Sequence, residues 1–289
     1  MTLAEGKQRM TTIDKPVNTA QRAGLAEVAE REATGLVKDL YADIRQTLRV
    51  PLVNLIYRHL ATEPHVLQWA WESVRPHLLS GAVAAQAAEL RGAVSRAVLN
   101  WNATMLQAVA PTQAAALVRT YNAGNCLNLV SLTHLLAACD TPQPRRTATT
   151  TATMAYCLGD ADAAEPPPIP AMADLPQADV RAVLRLNRMG EPGEPQIVAS
   201  LYRHLAVWPG LLQQIEPMLE TLHLQGRLDA ARLQTVQSVR ALVHSEPLAV
   251  APRPPAFDDA FARRVAQFTN VTIPKMLPIG ALLARALRG

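Results

Sequence analysis

Tyr57-Arg58-His59-Leu60-Ala61 recurs letter for letter as Tyr202-Arg203-His204-Leu205-Ala206, and a proline stands three residues beyond each copy, at Pro64 and Pro209. Working outward, Asp43-Ile44-Arg45 with Leu48 answers to Asp179-Val180-Arg181 with Leu184. The apolar pattern of Tyr121 to Leu136 returns in Phe268 to Leu283. The second copy carries extra residues, among them Gly190-Glu191-Pro192-Gly193-Glu194-Pro195. A period close to half the chain is too long for a solenoid and is expected of one unit duplicated and fused.

Within each copy the apolar spacing is helical. Ile197, Val198, Leu201 and Leu205 fall at i, i+1, i+4 and i+8, and Leu52, Val53, Ile56 and Leu60 reproduce that stripe. Pro51 and Pro195 are expected near a first helical turn, where a missing N–H costs little. Strand-like alternation is scarce. The expected fold is therefore all-α, two homologous helical repeats packed as an intramolecular pseudo-dimer. The repeats are placed at 35–139 and 173–289, after an N-terminal segment at 1–34. Between them, 140–172 reads as a linker: it holds six prolines and the threonine-rich Thr147–Thr153, a composition that favours extended, solvated chain. A cavity is expected where the two repeats meet.

Composition narrows the function. Hydrophobic residues are 49% of the 289 and charged ones 18%, enough apolar side chain to bury a core. The net charge is +4, but lysine occurs only at Lys7, Lys15, Lys38 and Lys275, and basic runs are no longer than pairs such as Arg145-Arg146 and Arg263-Arg264. That is not the stripe needed to displace counterions from phosphates, so no nucleic-acid partner is expected. The odd set Cys126, Cys139 and Cys157 argues against a disulfide framework. Met1 to Lys15 shows no apolar signal-peptide core. The longest apolar stretches, 126–139 and 273–287, are interrupted by polar residues and fall short of the roughly 20 residues a membrane helix needs. The expectation is a soluble cytoplasmic protein with no membrane partner, and a homodimer is left open.

Familiar catalytic signatures are missing: no H-E-x-x-H, G-x-S-x-G, G-x-G-x-x-G or phosphate loop occurs. The seven histidines show no metal-ligand spacing, so neither a metal nor another cofactor is expected. What stands out is the cluster Tyr121-Asn122-Ala123-Gly124-Asn125, with Asn128 one turn on. Asparagine offers one acceptor and two donors, suited to orienting a water or an uncharged substrate atom. The plainer reading is that Gly124 lets two helices approach closely.

The phrase Tyr41-Ala42-Asp43-Ile44-Arg45-Gln46-Thr47-Leu48-Arg49-Val50-Pro51 resembles the opening of the group I 2-haloacid dehalogenases, helical enzymes of two fused repeats. Arg58-His59-Leu60-Ala61-Thr62-Glu63-Pro64, the asparagine cluster and the segment ending Leu205-Ala206-Val207-Trp208-Pro209 continue the likeness, which runs from about residue 38 to the end. The resemblance implies hydrolysis of the carbon–halogen bond of small 2-haloalkanoic acids. In that chemistry an aspartate activates a water that attacks C2 directly, and an asparagine helps hold the water. Carried over, the water-holding asparagine is Asn125, and the serine preceding the catalytic aspartate is Ser200. The aspartate itself falls on Leu201. Aromatic pocket residues fall on Leu52 and Leu55.

Leucine cannot accept a proton, and general-base help of this kind is typically worth a factor of about 10² to 10⁴. His204, one turn from Leu201, is a candidate substitute base, although its repeat at His59 also suits a structural role, bridging the halves or hydrogen-bonded in the core. Glu191 and Glu194 are the other carboxylates near the cavity, in a loop where charges are ordinarily solvated. Asp43 and Asp179 read as helix-start or ion-pair residues. Tyr57 and Tyr202 read as buried rings with tied hydroxyls, with Tyr202 a candidate ligand contact. Lys275 is expected to snorkel to the surface, or else to attract a carboxylate. Two functions remain: a dehalogenase-like hydrolase acting on a small carboxylic acid through Asn125 and His204, with Leu52, Leu55, Ser200, Leu201 and Tyr202 around the substrate; or a non-catalytic helical protein that binds a small apolar or carboxylic-acid ligand or serves as a dimerisation module.

Overall fold

Leu55–Leu60 and Ser200–Leu205 are both six-residue helices, and the repeated pentapeptide supplies the last four residues of each. The structure, a computed structural model, describes residues 25–108, 111–140, 166–193, 195 and 197–287. Most of the expected N-terminal segment and linker, with Cys157 and Glu194, lies outside the described residues. Those described form helices and connecting segments, without strands. In chain order the helices are α1 (Gly35–Leu48), α2 (Leu55–Leu60), α3 (Pro64–Leu79), α4 (Ala82–Ala97) and α5 (Pro111–Asp140). After a gap come α6 (Gln177–Arg188), α7 (Ser200–Leu205), α8 (Leu211–Leu224), α9 (Arg227–Ser245), α10 (Asp259–Gln267) and α11 (Ile273–Ala286). A π-helical turn, Phe268–Thr272, joins the last two.

Each amphipathic helix buries the face its spacing prescribes. In α1 the inward residues are Val37, Tyr41, Ile44 and Leu48, at steps of three and four, and in α6 they are Ala182, Val183 and Leu186. Asp258 caps α10, its carboxylate accepting from the Ala260 and Phe261 N–H groups at 2.9 Å.

Two hydrophobic cores result. One gathers α1, α3 and α4 with the later part of α5; the other gathers α6, α7 and α8 with its earlier part. Helix α11 packs along α5 and serves both cores, sending Ile273 and Leu277 to the first and Met276, Ile279, Leu282 and Leu283 to the second. Close approach here depends on Gly280, not on Gly124. A Cβ at Gly280 would lie 1.9 Å from Asn122 Oδ1, whereas one at Gly124 would make only ordinary contact with the Asn54 side chain at 3.4 Å.

Leu52, Val53, Ile197 and Val198 do not join the helical stripe. The helices begin later, at Leu55 and Ser200, leaving Pro51 and Pro195 outside them. The reason lies in side chains that hold these stretches extended. Glu30 accepts from the Val53 N–H at 2.8 Å, and Arg58 donates to the Val53 carbonyl at 2.6 Å. In the second half Asn187 donates to the Ile197 carbonyl at 2.9 Å and accepts from the Ala199 N–H at 3.0 Å. Backbone groups satisfied this way have no need of a helical turn.

Candidate functional site

Asn54, the N-cap of α2, and Ala199, the N-cap of α7, bring the starts of the two short helices against the middle of α5. The π turn and the first residues of α11 close the far side. The cavity measures about 50 Å³, room for a few ordered waters or a ligand of a few heavy atoms. Leu55, Asn125, Ser200 and Leu201 all line it, so four of the residues singled out in the sequence meet in one place, with walls from both halves of the chain.

The lining is mixed, with apolar walls from Leu55, Leu201, Phe268 and Met276 and uncharged polar groups between them. Five of its buried polar atoms find no hydrogen-bond partner among the described residues: Asn54 Oδ1, both amide atoms of Asn128, Ser200 Oγ and Thr272 Oγ1. Buried polar groups are nearly always paired, so a convergent set of this kind marks a place built to meet water or ligand. The described lining contains no carboxylate, imidazole or amine. Its one titratable member is Tyr121, whose phenol burial pushes well above its ordinary range.

Three expected site residues lie elsewhere. Leu52 sits two residues before the α2 N-cap, on the extended stretch tied to Glu30, and faces a separate outer groove. Tyr202 points into the second core, and among the described residues neither its hydroxyl nor that of Tyr57 finds the tied partner expected of a buried tyrosine. His204 also faces the outer groove. Its Nε2–H donates to the Pro167 carbonyl at 2.5 Å, which leaves Nδ1 to accept from the Tyr121 hydroxyl at 3.2 Å. Burial lowers the His204 pKa further than the Pro167 bond raises it, so the ring is held neutral. It touches the cavity only through Tyr121. His59 takes the bridging part: it donates to the Ala26 carbonyl at 2.8 Å and packs on Phe261 of α10.

The charged residues also depart from expectation. Lys275 does not snorkel, and Glu191 is not a solvated loop charge. Their side chains are 1% and 3% exposed and form a buried ion pair, with Lys275 also donating to the Asn187 carbonyl at 2.6 Å. Burial pushes the Lys275 pKa down against the pull of Glu191. Gly190 makes room for the pair: at φ +71° its absent Cβ would press on Leu228 at 3.1 Å and on the Lys275 stem at 3.4 Å. Asp43 meets its ion-pair reading: late in α1, it accepts from Trp71 Nε1 and Arg75 Nε, each at 2.6 Å. The Arg75 guanidinium holds its carboxyl below the usual range. Asp179 lies in the first turn of α6 and accepts from Gln213 at 2.8 Å.

Sequence reasoning missed Asn54, Phe268 and Thr272 as cavity walls. A signal for the last two was present. In the correspondence of Tyr121–Leu136 with Phe268–Leu283, Phe268 answers to Tyr121 and Thr272 to Asn125. The π turn that presents them is a device found often at functional sites.

No family model matches the chain. A solved complex of a D-2-haloacid dehalogenase mutant with D-2-CPA superposes with a TM-score of 0.71 at 16% identity, covering 92% of this chain and 96% of that one. This chain has the D-2-haloacid dehalogenase fold. A second dehalogenase mutant structure gives 0.70 at 17% identity, over 91% of this chain and 94% of that one. A complex of a D-2-haloacid dehalogenase with L-LA gives 0.65 at 17%, over 92% and 94%. In sequence, the (R)-2-haloacid dehalogenase of Pseudomonas putida is 41% identical over 49 residues. That match spans 17% of this chain and 16% of the relative's length. The all-helical dehalogenase fold and the resemblance read from residues 41–64 thus agree.

Proposed function

We propose that this protein keeps the small-acid cavity of a 2-haloacid dehalogenase but not its proton acceptor, and binds a small carboxylic acid without hydrolysing it. The observation that carries the reading is the cavity wall at Leu201. The resemblance assigns this position to the water-activating aspartate, Leu201 lines the cavity, and no described residue there supplies another base. The unpartnered hydroxyls of Ser200 and Thr272 and the Asn128 Nδ2 amide are the donors for carboxylate oxygens, with Asn125 beside them. Without a base, water attack at C2 loses a factor of about 10² to 10⁴. His204 stands outside the cavity and reaches it only through the Tyr121 hydroxyl, so no described base touches a cavity water directly.

The chain is further read as one helical unit duplicated and fused, two repeats forming a pseudo-dimer around this cavity. The repeated pentapeptide at the ends of α2 and α7 supports that reading. A reducing, cytoplasmic setting fits the odd cysteine count.

Halide release from racemic 2-chloropropionate tests the central claim. The wild-type protein is expected to release none above buffer, Leu201→Asp to gain release, and Asn125→Ala to remove that gain. Binding is read separately: 2-chloropropionate raises the wild-type Tm by mass action, and Asn125→Ala diminishes the rise. Steady wild-type turnover would overturn the non-hydrolytic reading, and an unmoved Tm would overturn the binding one.

A further inference from the structure

Outside the cavity, and separated from it by the touching pair Tyr121 and His204, lies a larger groove of about 670 Å³. Its walls are the segment Glu27–Glu32, the extended Pro166–Ala171 and residues of the two repeated pentapeptides, Arg58 and Arg203 with His204. The charges on these walls pair off with one exception. Arg58 is bonded to Glu27 at 2.7 Å, Glu30 to Arg45 at 2.5 Å, and Arg31 lies 3.6 Å from Glu32. Arg203 has no carboxylate within 4 Å among the described residues. Its Nε and Nη2 donate instead to one neutral carbonyl, that of Pro170, at 3.1 and 2.9 Å.

A carbonyl orients a guanidinium without neutralising it. Burial disfavours the charge of the half-buried Arg203; the pull of Glu27, stronger than the repulsion of Arg58, comes from a carboxylate that Arg58 already engages. A cation partly desolvated, fixed in direction and without a described carboxylate in direct contact is a ready anchor for an anion.

We propose that the outer groove is a second ligand site, in which the Arg203 guanidinium binds a small monocarboxylate independently of the inner cavity. Arg203 lines the groove and gives one guanidinium edge to Pro170, which leaves its other N–H groups for an anion, and His204 beside it stays uncharged. The groove is wide enough for a whole short-chain acid, and Tyr121 on the cavity side touches His204 on the groove side. This extends the small-acid reading of the cavity but makes a separate claim.

The test is a titration of the full chain with propionate, which cannot be dehalogenated, followed on the Arg203 Nε–H resonance. That proton is held by Pro170 and is assigned by its loss in Arg203→Lys. Propionate is expected to shift it saturably, while neutral propionamide and equal sodium chloride do not. Asn125→Ala is expected to leave the midpoint unchanged. With the Ile169 amide as reporter, Arg203→Gln weakens propionate at least tenfold and Arg203→Lys stays within a few-fold. An unmoved Arg203 resonance, an equal response to propionamide or chloride, or loss of the response in Asn125→Ala would overturn the proposal. An unmoved Asn125 side-chain amide would count against the cavity reading alone, so the two failures are told apart.

Discussion

At the scale of single residues, His134 and Gly280 show how few atoms set the tolerances of this molecule. The Leu248 N–H donates to His134 Nδ1 at 3.4 Å, so Nε2 carries the proton given to Gln86 Oε1 at 2.8 Å, and Gln86 passes a bond on to the Glu246 carbonyl at 3.0 Å. Only the neutral ring fits this chain. Burial, helped by His77, brings its pKa from 6.5 down to about 4. A histidine depressed on folding adds no penalty above its unfolded pKa. As pH falls from 6.5 toward 4 the unfolded state takes up a proton that the folded state refuses, and stability drops by about 1.4 kcal/mol per pH unit, roughly 3 kcal/mol in all. Subtracting the urea-denaturation profile of His134→Gln from that of the wild type over pH 7 to 4 isolates this slope; parallel profiles would refute it. Gly280→Ala would drive a methyl into the Asn122 amide and is expected to cost about 1–3 kcal/mol. The double variant with Asn122→Ala should recover most of that loss, and simple additivity in the mutant cycle would show that the clash is not the cause.

At the scale of elements, the buried pair joins α11 to the loop after α6. Lys275→Met strands Glu191 in the core and is expected to cost about 3–5 kcal/mol, whereas Lys275→Met with Glu191→Leu should come close to the wild type. Thermal or urea unfolding of the three proteins decides this, and a double variant as unstable as the single one contradicts it. This pair was not legible in the sequence. The two residues are 84 positions apart, and a lone lysine in an apolar run looks the same whether its partner is water or a carboxylate brought in by the fold. Helical period was legible, because the inward face of α2 from Ile56 to Leu60 and of α7 from Leu201 to Leu205 follows local spacing. Where each helix starts was not, since Glu30 and Asn187 hold the preceding residues from a distance. The placement of Asn125, Ser200 and Leu201 around one cavity followed from matched motifs. Leu52 was misplaced because it lies just before a helix start that spacing alone does not mark, and His204 because its ring turns to the outer groove, toward a Pro167 carbonyl 37 positions away.

At the scale of the whole molecule, the connection between α9 and α10 is pinned onto the first half by side chains. Trp69 donates to the Ala251 carbonyl at 3.1 Å and His77 to that of Ala249 at 2.6 Å, beside the Gln86 bond to Glu246. With two cores sharing α5 and α11, chemical denaturation followed by tryptophan fluorescence and by far-ultraviolet circular dichroism is expected to give one coincident transition. Two separated midpoints would mean that the halves unfold independently.

The sharing of α5 and α11 has a use. Cut between 140 and 166, the chain would yield two fragments, each carrying one of these helices with much of its apolar surface uncovered. Neither is expected to be well ordered by itself, yet mixed or co-expressed they should reassemble without a peptide bond between them. The Leu201 cavity, built from both pieces, would then report on their reunion, a split protein whose ligand pocket exists only when its parts have found each other.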